Sequence, residues 1–128
     1  MAKILLIDPD QQIGNITAEF LKQRGHLVKF CSSAQHGIHQ ADKYKPDLII
    51  LELQLPVHNG IEFLYELRSY HDWQDTPVII HSHVPPALKA ISPMLWDSLK
   101  IAAYHYKPHT KLAALYDSID NVLAAVPG

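Results

Sequence analysis

The sequence lacks the features that define several classes of protein. It has one cysteine, Cys31, so no disulfide bond can form within the chain. Lys and Arg total 11 against 13 for Asp and Glu, and the net charge of −2 offers no basic surface for nucleic acid. No apolar run is long enough to cross a membrane, and the N-terminus has no signal-peptide pattern. We therefore expect a cytoplasmic protein that binds neither nucleic acid nor membrane.

Short apolar runs alternate with amphipathic segments along the chain. The 128 residues, 48% of them hydrophobic, suit one domain, and we expect residues 1–128 to form it. Five strands are predicted, at residues 3–7, 27–30, 47–53, 78–80 and 101–106. A helix is expected after each strand. The first begins at Gln11, the second follows a cap at Ser33, and the third begins at Gly60 and is extended over 71–73. The fourth lies mainly after Pro93, and the fifth follows a cap at Thr110.

The third run, DLIILEL, is apolar on both faces of the predicted strand. Such strands belong to parallel sheets that are covered by helices on each side. With right-handed crossovers, five βα units predict an α/β fold, a doubly wound (βα)5 three-layer sandwich around a five-stranded parallel sheet. The loops after strands one, three, four and five then meet at the carboxyl edge of the sheet, which is where such folds bind ligands.

Polar side chains stand at the ends of these strands. Three acids, one hydroxyl and one cation are expected to converge there: Asp8, Asp10, Glu52, Ser82 and Lys107. Polar residues are common where strands meet solvent, so any one of them needs no functional explanation. The set as a whole is better explained by a site.

The arrangement resembles the receiver domain of two-component response regulators along the whole chain. In that family an acidic pair follows strand one, a phosphoacceptor Asp ends strand three, and Leu-Pro and then Gly follow it. Ser or Thr ends strand four, and an aromatic residue and Lys-Pro follow in and after strand five. The corresponding residues are Asp8-Pro9-Asp10, Glu52 with Leu55-Pro56 and Gly60, Ser82, Tyr104 and Lys107-Pro108. The resemblance also implies a cis peptide bond between Lys107 and Pro108.

Two departures from the family pattern affect its chemistry. Glu52 occupies the phosphoacceptor position, and Pro9 occupies the position of the main side-chain ligand for Mg²⁺. Proline offers no side-chain ligand, and the extra methylene of Glu displaces the carboxylate by about 1.5 Å, enough to impair in-line phosphoryl transfer severely. We therefore expect no cofactor and weak or absent Mg²⁺ binding, with Asp8 and Glu52 as the ligands if the ion does bind.

These departures predict an atypical receiver that acts by protein–protein interaction. Glu52 would be a permanent anion facing Lys107 and Ser82, and the resemblance makes Ser82 and Tyr104 the switch residues. Two alternatives remain: Glu52 is a tolerated relic paired with Lys107, or the chain is a receiver that still accepts phosphate. The expected partners are signalling proteins, including a histidine kinase or an output protein, and a homodimer through strand five and helix five.

Two functions of other classes, a phosphatase and a metal-binding protein, are also alternatives. Asp8-x-Asp10, with a later Ser and Lys, is similar to the first motifs of the haloacid-dehalogenase phosphatases, but only Asp117 and Asp120 follow Lys107, and both lie within the last predicted helix. We therefore expect that the protein is not an enzyme. A metal site is possible around a histidine cluster, although strand alternation puts two members on the face opposite Ser82; the members are His81, His83, His105 and His109.

Overall fold

A computed structural model describes residues 2–57, 59–85 and 92–125. Strands and helices alternate along the chain, with a 3₁₀ turn after the third helix and another after the fifth strand. In order they are β1 (Lys3–Ile7), α1 (Gln11–Gln23), β2 (Leu27–Cys31), α2 (Ala34–Tyr44), β3 (Leu48–Leu51), α3 (Gly60–Ser69), the turn His71–Trp73, β4 (Val78–Ser82), α4 (Pro93–Ser98), β5 (Ile101–Tyr106), the turn Lys107–His109 and α5 (Leu112–Ala125).

Short polar side chains begin the first three helices by accepting a backbone N–H of the first turn. The pairs are Asp10 with Ile13 at 3.0 Å, Ser33 with His36 at 3.2 Å and Asn59 with Glu62 at 2.9 Å. The predicted cap at Ser33 is therefore confirmed. Gly25 follows α1 with a φ of +97°, a conformation that glycine adopts without strain, and the chain then turns into β2.

All five strands lie parallel in one sheet, in the order β2-β1-β3-β4-β5. The order reverses direction beside β1, as in doubly wound folds. The central strands are buried on both faces, because helices cover the sheet on each side. The predicted (βα)5 three-layer sandwich is confirmed.

Alternate residues of the central strands supply two apolar clusters on opposite faces of the sheet. On one face Ile49, Leu51 and Ile80 pack with Phe63 and Leu67 of α3. On the other face a second cluster joins α1 and α5 to the sheet through Leu6, Ile50, Ile79, Leu115 and Ile119. A one-residue shift of a strand would move its side chains from one cluster to the other.

The ends of β3 and β4 differ from the sequence prediction by two residues each. β3 covers only Leu48–Leu51, so Glu52 lies just beyond the strand rather than within it. β4 continues past Ile80 to Ser82 because it pairs with β5 as far as the Ser82–Tyr106 register. The site residues thus lie at the last pairing positions or immediately after them.

The segment after β5 corrects two predictions. The Lys107–Pro108 peptide bond is trans, since the described residues contain no cis peptide bond. A trans bond suits the 3₁₀ turn Lys107–His109, whose first residues include Pro108 with its favourable fixed φ. Thr110 does not cap α5: its hydroxyl donates to the Tyr106 carbonyl at 2.8 Å, and the first helical N–H bonds go to the Lys111 carbonyl.

The fourth βα connection is described only in part. α4 covers Pro93–Ser98, in agreement with the helix predicted mainly after Pro93, and residues 86–91 lie outside the described part of the chain. Trp96 of α4 stacks on Tyr104 with ring centroids 5.8 Å apart, and Met94 is 78% exposed. In the described ranges no helix is both long enough and apolar enough to span a bilayer.

Candidate functional site

Four predicted site residues meet at the carboxyl edge of the sheet. Asp8 follows β1, Glu52 follows β3, Ser82 ends β4 and Lys107 follows β5. Their side chains form one chain of contacts, in which Lys107 joins Asp8 to Glu52 and Glu52 accepts from Ser82. Gly60, at the start of α3, packs against this edge, where an added Cβ would lie 2.7 Å from the Leu53 Cα. Only glycine allows α3 to begin so close to the loop that carries Glu52.

The Glu52 carboxylate is enclosed and fully hydrogen-bonded. Only 2% of the residue is exposed. Its Oε2 accepts from the Ser82 hydroxyl and from the Gln54 N–H at 3.1 Å. Its Oε1 accepts from the Lys107 ammonium at 3.0 Å and from the His83 N–H at 3.0 Å, and it lies 3.2 Å from the His83 Nδ1. These contacts use the lone-pair directions that a carboxylate offers.

The balance of these contacts keeps Glu52 ionised. Burial alone would raise its pKa, but the Ser82 hydroxyl, the Gln54 and His83 N–H groups and the Lys107 charge together lower the pKa below its ordinary value. Glu52 is therefore an anion at neutral pH. It is also inaccessible to a donor approaching from solvent without rearrangement of its partners.

Lys107 lies between two buried carboxylates. Its ammonium contacts both Asp8 Oδ2 and Glu52 Oε1, and the three side chains are at most 5% exposed. Asp8 Oδ1 accepts the Asp10 N–H at 2.9 Å, so both Asp8 oxygens are engaged. One cation thus compensates two anions in the interior, a state that depends on the hydrogen bonds around it.

Asp10 does not join this cluster, although the sequence predicts it there. Its carboxylate accepts the Ile13 N–H and caps α1, and the residue is exposed. The first turn of α1 has backbone N–H groups without a partner in the helix, and these lie within reach of the Asp10 side chain. The Asp10 carboxylate satisfies one of them instead of turning towards the pocket. Only the Asp10 backbone contributes to the site.

The donor set does not fit Mg²⁺ as the family would bind it. The ion needs several oxygen ligands in near-octahedral geometry. Here the Asp8 and Glu52 oxygens are engaged, Pro9 has no side-chain oxygen, and Asp10 caps a helix. The Lys107 ammonium supplies positive charge between the two buried carboxylates. Within the described ranges, no three His, Cys, Asp or Glu side chains are placed to hold a metal ion.

A chain of contacts leads from Glu52 to the surface of α4 and β5. The Ser82 hydroxyl donates to Glu52 and accepts the Val84 N–H at 3.0 Å. The Val84 carbonyl accepts the Tyr104 hydroxyl, and the Tyr104 ring stacks on Trp96. Burial raises the Tyr104 pKa, so its hydroxyl stays protonated and keeps donating. Both predicted switch residues therefore lie in one connected path.

His83 contacts the Glu52 carboxylate, although the sequence indicates it only as a member of a histidine metal site. Strand alternation places it opposite Ser82, but β4 ends at Ser82, and the chain bends so that both the backbone and the ring of His83 reach Glu52. His81 does follow the alternation and is 4% exposed. Burial, with added repulsion from Lys107, lowers the His81 pKa to about 4, so this ring is neutral.

The acids required by the phosphatase reading lie elsewhere. Asp117 and Asp120 are in α5, and the Asp120 carboxylate lies 3.7 Å from the His26 Nε2, away from Asp8. Among the described residues, the carboxylates that pair with Lys107 are those of Asp8 and Glu52, and both precede Lys107 in the chain. This arrangement gives the phosphatase reading no support.

Comparisons with known proteins agree with this fold. The family model described as response regulator receiver domain matches residues 4–99. Over 82 residues the chain is 38% identical to the KDP operon transcriptional regulatory protein KdpE of Escherichia coli strain K12, a match that covers 64% of this chain and 35% of that protein. It is 33% identical over 81 residues to the transcriptional regulatory protein MalR of Bacillus subtilis strain 168, covering 62% and 34%. The matched part is thus about a third of the length of these relatives.

Solved structures share the fold at lower sequence identity. The chemotaxis protein CheY4 of Vibrio cholerae superposes with a TM-score of 0.83 at 23% identity, covering 95% of this chain and 98% of that one. A sensor protein from Polaromonas sp. JS666 gives a TM-score of 0.86 at 18% identity, covering 95% of each chain. These likenesses concern the fold alone. The site residues above rest on the geometry of this chain.

Proposed function

The chain belongs to the family of response regulator receiver domains, the signal-receiving modules of two-component signalling, and on this basis we propose that it signals through protein contacts without phosphorylation of its site carboxylate. Glu52 acts as a fixed anion at the phosphoacceptor position. The single observation that carries the proposal is the saturation of that carboxylate by Ser82, Lys107, Gln54 and His83.

The same contacts argue against catalysis and a resident Mg²⁺. A phosphoryl group on Glu52 would replace at least one of its hydrogen bonds and would lie against the Ser82 hydroxyl. Mg²⁺ would have to displace Lys107 from two carboxylates at once. We propose that the protein is not an enzyme and that it needs no metal cofactor to reach its working conformation.

The contacts of Ser82 and Tyr104 favour an active-like state. We propose that the Glu52 anion holds Ser82 in the position that a phosphoryl group would impose, although with a charge of −1 in place of about −1.5 to −2. Tyr104 is then held inward by the Val84 carbonyl and Trp96. The surface of α4, β5 and α5 is thereby presented in one form to a partner. We propose other signalling proteins as partners, among them a histidine kinase, an output protein or a second copy of the chain through β5 and α5.

Thermal unfolding with and without Mg²⁺ plus beryllofluoride tests this proposal. Beryllofluoride mimics a phosphoryl group on a carboxylate, so the wild type should show no shift in its midpoint. The double variant Glu52→Asp with Pro9→Asp is the positive control, since it restores the shorter carboxylate and one oxygen ligand. A Mg²⁺-dependent shift in the wild type would favour the alternative, a receiver that still accepts phosphate.

A further inference from the structure

The His83 ring is held in one tautomer by its contact with Glu52. Its Nδ1 lies 3.2 Å from Glu52 Oε1, and its backbone N–H donates to the same oxygen at 3.0 Å. An ionised carboxylate only accepts hydrogen bonds, so Nδ1 must carry the ring proton. With the proton on Nδ1, the lone pair that can react is on Nε2.

Nε2 lies on the side of the ring away from the Glu52 contact. The His83 side chain is 46% exposed, and its hydrogen bonds within residues 2–57, 59–85 and 92–125 go to Glu52 alone. Beside it is a pocket of about 260 Å³, lined among others by Ile13, Lys107 and Thr110. A group added to Nε2 would lie on the edge of the ring away from Glu52, where solvent screens its charge from the buried carboxylates.

A carboxylate behind an imidazole is a known way of making the opposite nitrogen nucleophilic. It orients the ring, fixes the tautomer and stabilises the imidazolium that forms when the opposite nitrogen attacks. In this site Glu52 is in the position to do so for His83. This role needs Glu52 as a free carboxylate, so the inference rests on the proposed function in that respect.

We propose that Nε2 of His83 is a phosphoryl acceptor for donors of the phosphoramidate class, which includes phosphohistidine on a partner protein. The Nε2 lone pair attacks phosphorus, the new N–P bond forms, and the P–N bond of the donor breaks. With phosphoramidate itself, whose nitrogen is protonated, neutral ammonia leaves with the bonding pair. Nδ1 keeps its proton, and the phosphoimidazolium pairs with the Glu52 carboxylate. No redox step and no metal are required.

Reaction of the wild type with potassium phosphoramidate at neutral pH tests this proposal. Peptide mapping by mass spectrometry follows the rate of phosphorylation at each histidine. His83 should react at least about tenfold faster than other exposed histidines, of which His36, His39 and His109 are compared, since a hydrogen bond to a charged group is worth about that factor or more. Equal rates at all four would overturn the proposal.

Two variants separate the role of the carboxylate from simple exposure. Glu52→Gln should lower the His83 rate to that of the exposed histidines, because a neutral amide no longer stabilises the imidazolium. A His83 rate unchanged in this variant would also overturn the proposal. His109→Ala is the matched control and should leave the His83 rate unchanged. If Glu52→Gln does not fold, the comparison among histidines of the wild type still decides.

The stability of the modification separates this inference from the proposed function. A phosphohistidine survives alkali and is lost in acid, whereas an acyl phosphate on Glu52 is lost in alkali. Alkali-stable phosphate on His83 is the expected result. Alkali-labile phosphate on Glu52 would contradict the proposed function, and no phosphorylation at all would contradict only the inference about His83.

Discussion

Replacing Lys107 with Met tests the buried charge cluster most sharply. The variant keeps most of the side-chain length but removes the cation that contacts both Asp8 and Glu52. Two carboxylates, with side chains 4% and 2% exposed, would then face each other without compensation. Leaving a buried charge unpaired costs about 3–5 kcal/mol, so the free energy of unfolding should fall by about that amount at neutral pH.

A second substitution should recover much of this loss. In the double variant Lys107→Met with Glu52→Gln, only the Asp8 carboxylate remains, so the net buried charge returns to that of the wild type. We expect a coupling free energy of about 2 kcal/mol between the two positions, within the range of about 0.5–3 kcal/mol for contacting residues. Urea unfolding followed by circular dichroism, with linear extrapolation, measures all four proteins of the cycle.

The exposed pair of Lys100 and Asp75 is the matched control. These side chains are 53% and 90% exposed, so solvent screens the pair and Lys100→Met should cost much less than Lys107→Met. The reasoning would be refuted if Lys107→Met cost no more than Lys100→Met, or if the double variant were no more stable than Lys107→Met alone.

Three further changes test individual contacts. His81 has a pKa of about 4 in the folded protein against 6.5 ordinarily, so the unfolded chain binds the proton at a higher pH than the folded protein does. The free energy of unfolding should therefore be unaffected by His81 above about pH 6.5 and should fall by about 3 kcal/mol towards pH 4. His81→Gln should remove this part of the pH profile of urea unfolding, and an identical profile would contradict it. Ionised Glu52 stabilises the fold above its ordinary pKa of about 4.3, and this stabilisation is lost as the pH falls through its lowered pKa in the folded protein. Glu52→Gln should therefore flatten the pH dependence of the free energy of unfolding only below about pH 4. Tyr104→Phe should cost about 1 kcal/mol, because the Val84 carbonyl loses its donor while the stacking on Trp96 remains, and an unchanged thermal midpoint would count against that contact.

The positions of strands and helices follow directly from local sequence. Apolar runs such as residues 48–51 are buried on both faces, and Ser33 caps the helix that its side chain predicts. Because parallel strands end at a common edge, Asp8, Glu52, Ser82 and Lys107 meet there, as the order of elements requires. Long-range assembly is predictable here because the site is built from strand ends.

Details that depend on competition between local contacts are not predictable in the same way. The Asp10 carboxylate has a helix N–H within reach, and the Thr110 hydroxyl has the Tyr106 carbonyl, so each makes the nearer bond instead of the expected one. His83 reaches Glu52 because strand alternation no longer applies after Ser82. The sequence does contain a signal for His83, because this residue directly follows Ser82, and the backbone N–H groups there point at the site.

Intact mass after incubation with acetyl phosphate and Mg²⁺ tests the central claim most directly. The wild type and the double variant Glu52→Asp with Pro9→Asp should be treated together, each before and after brief exposure to alkali. We predict that the wild type carries no alkali-labile phosphoryl group, while the double variant gains one. An alkali-labile phosphoryl group on wild-type Glu52 would contradict the account, because it would mean that this enclosed carboxylate still reacts.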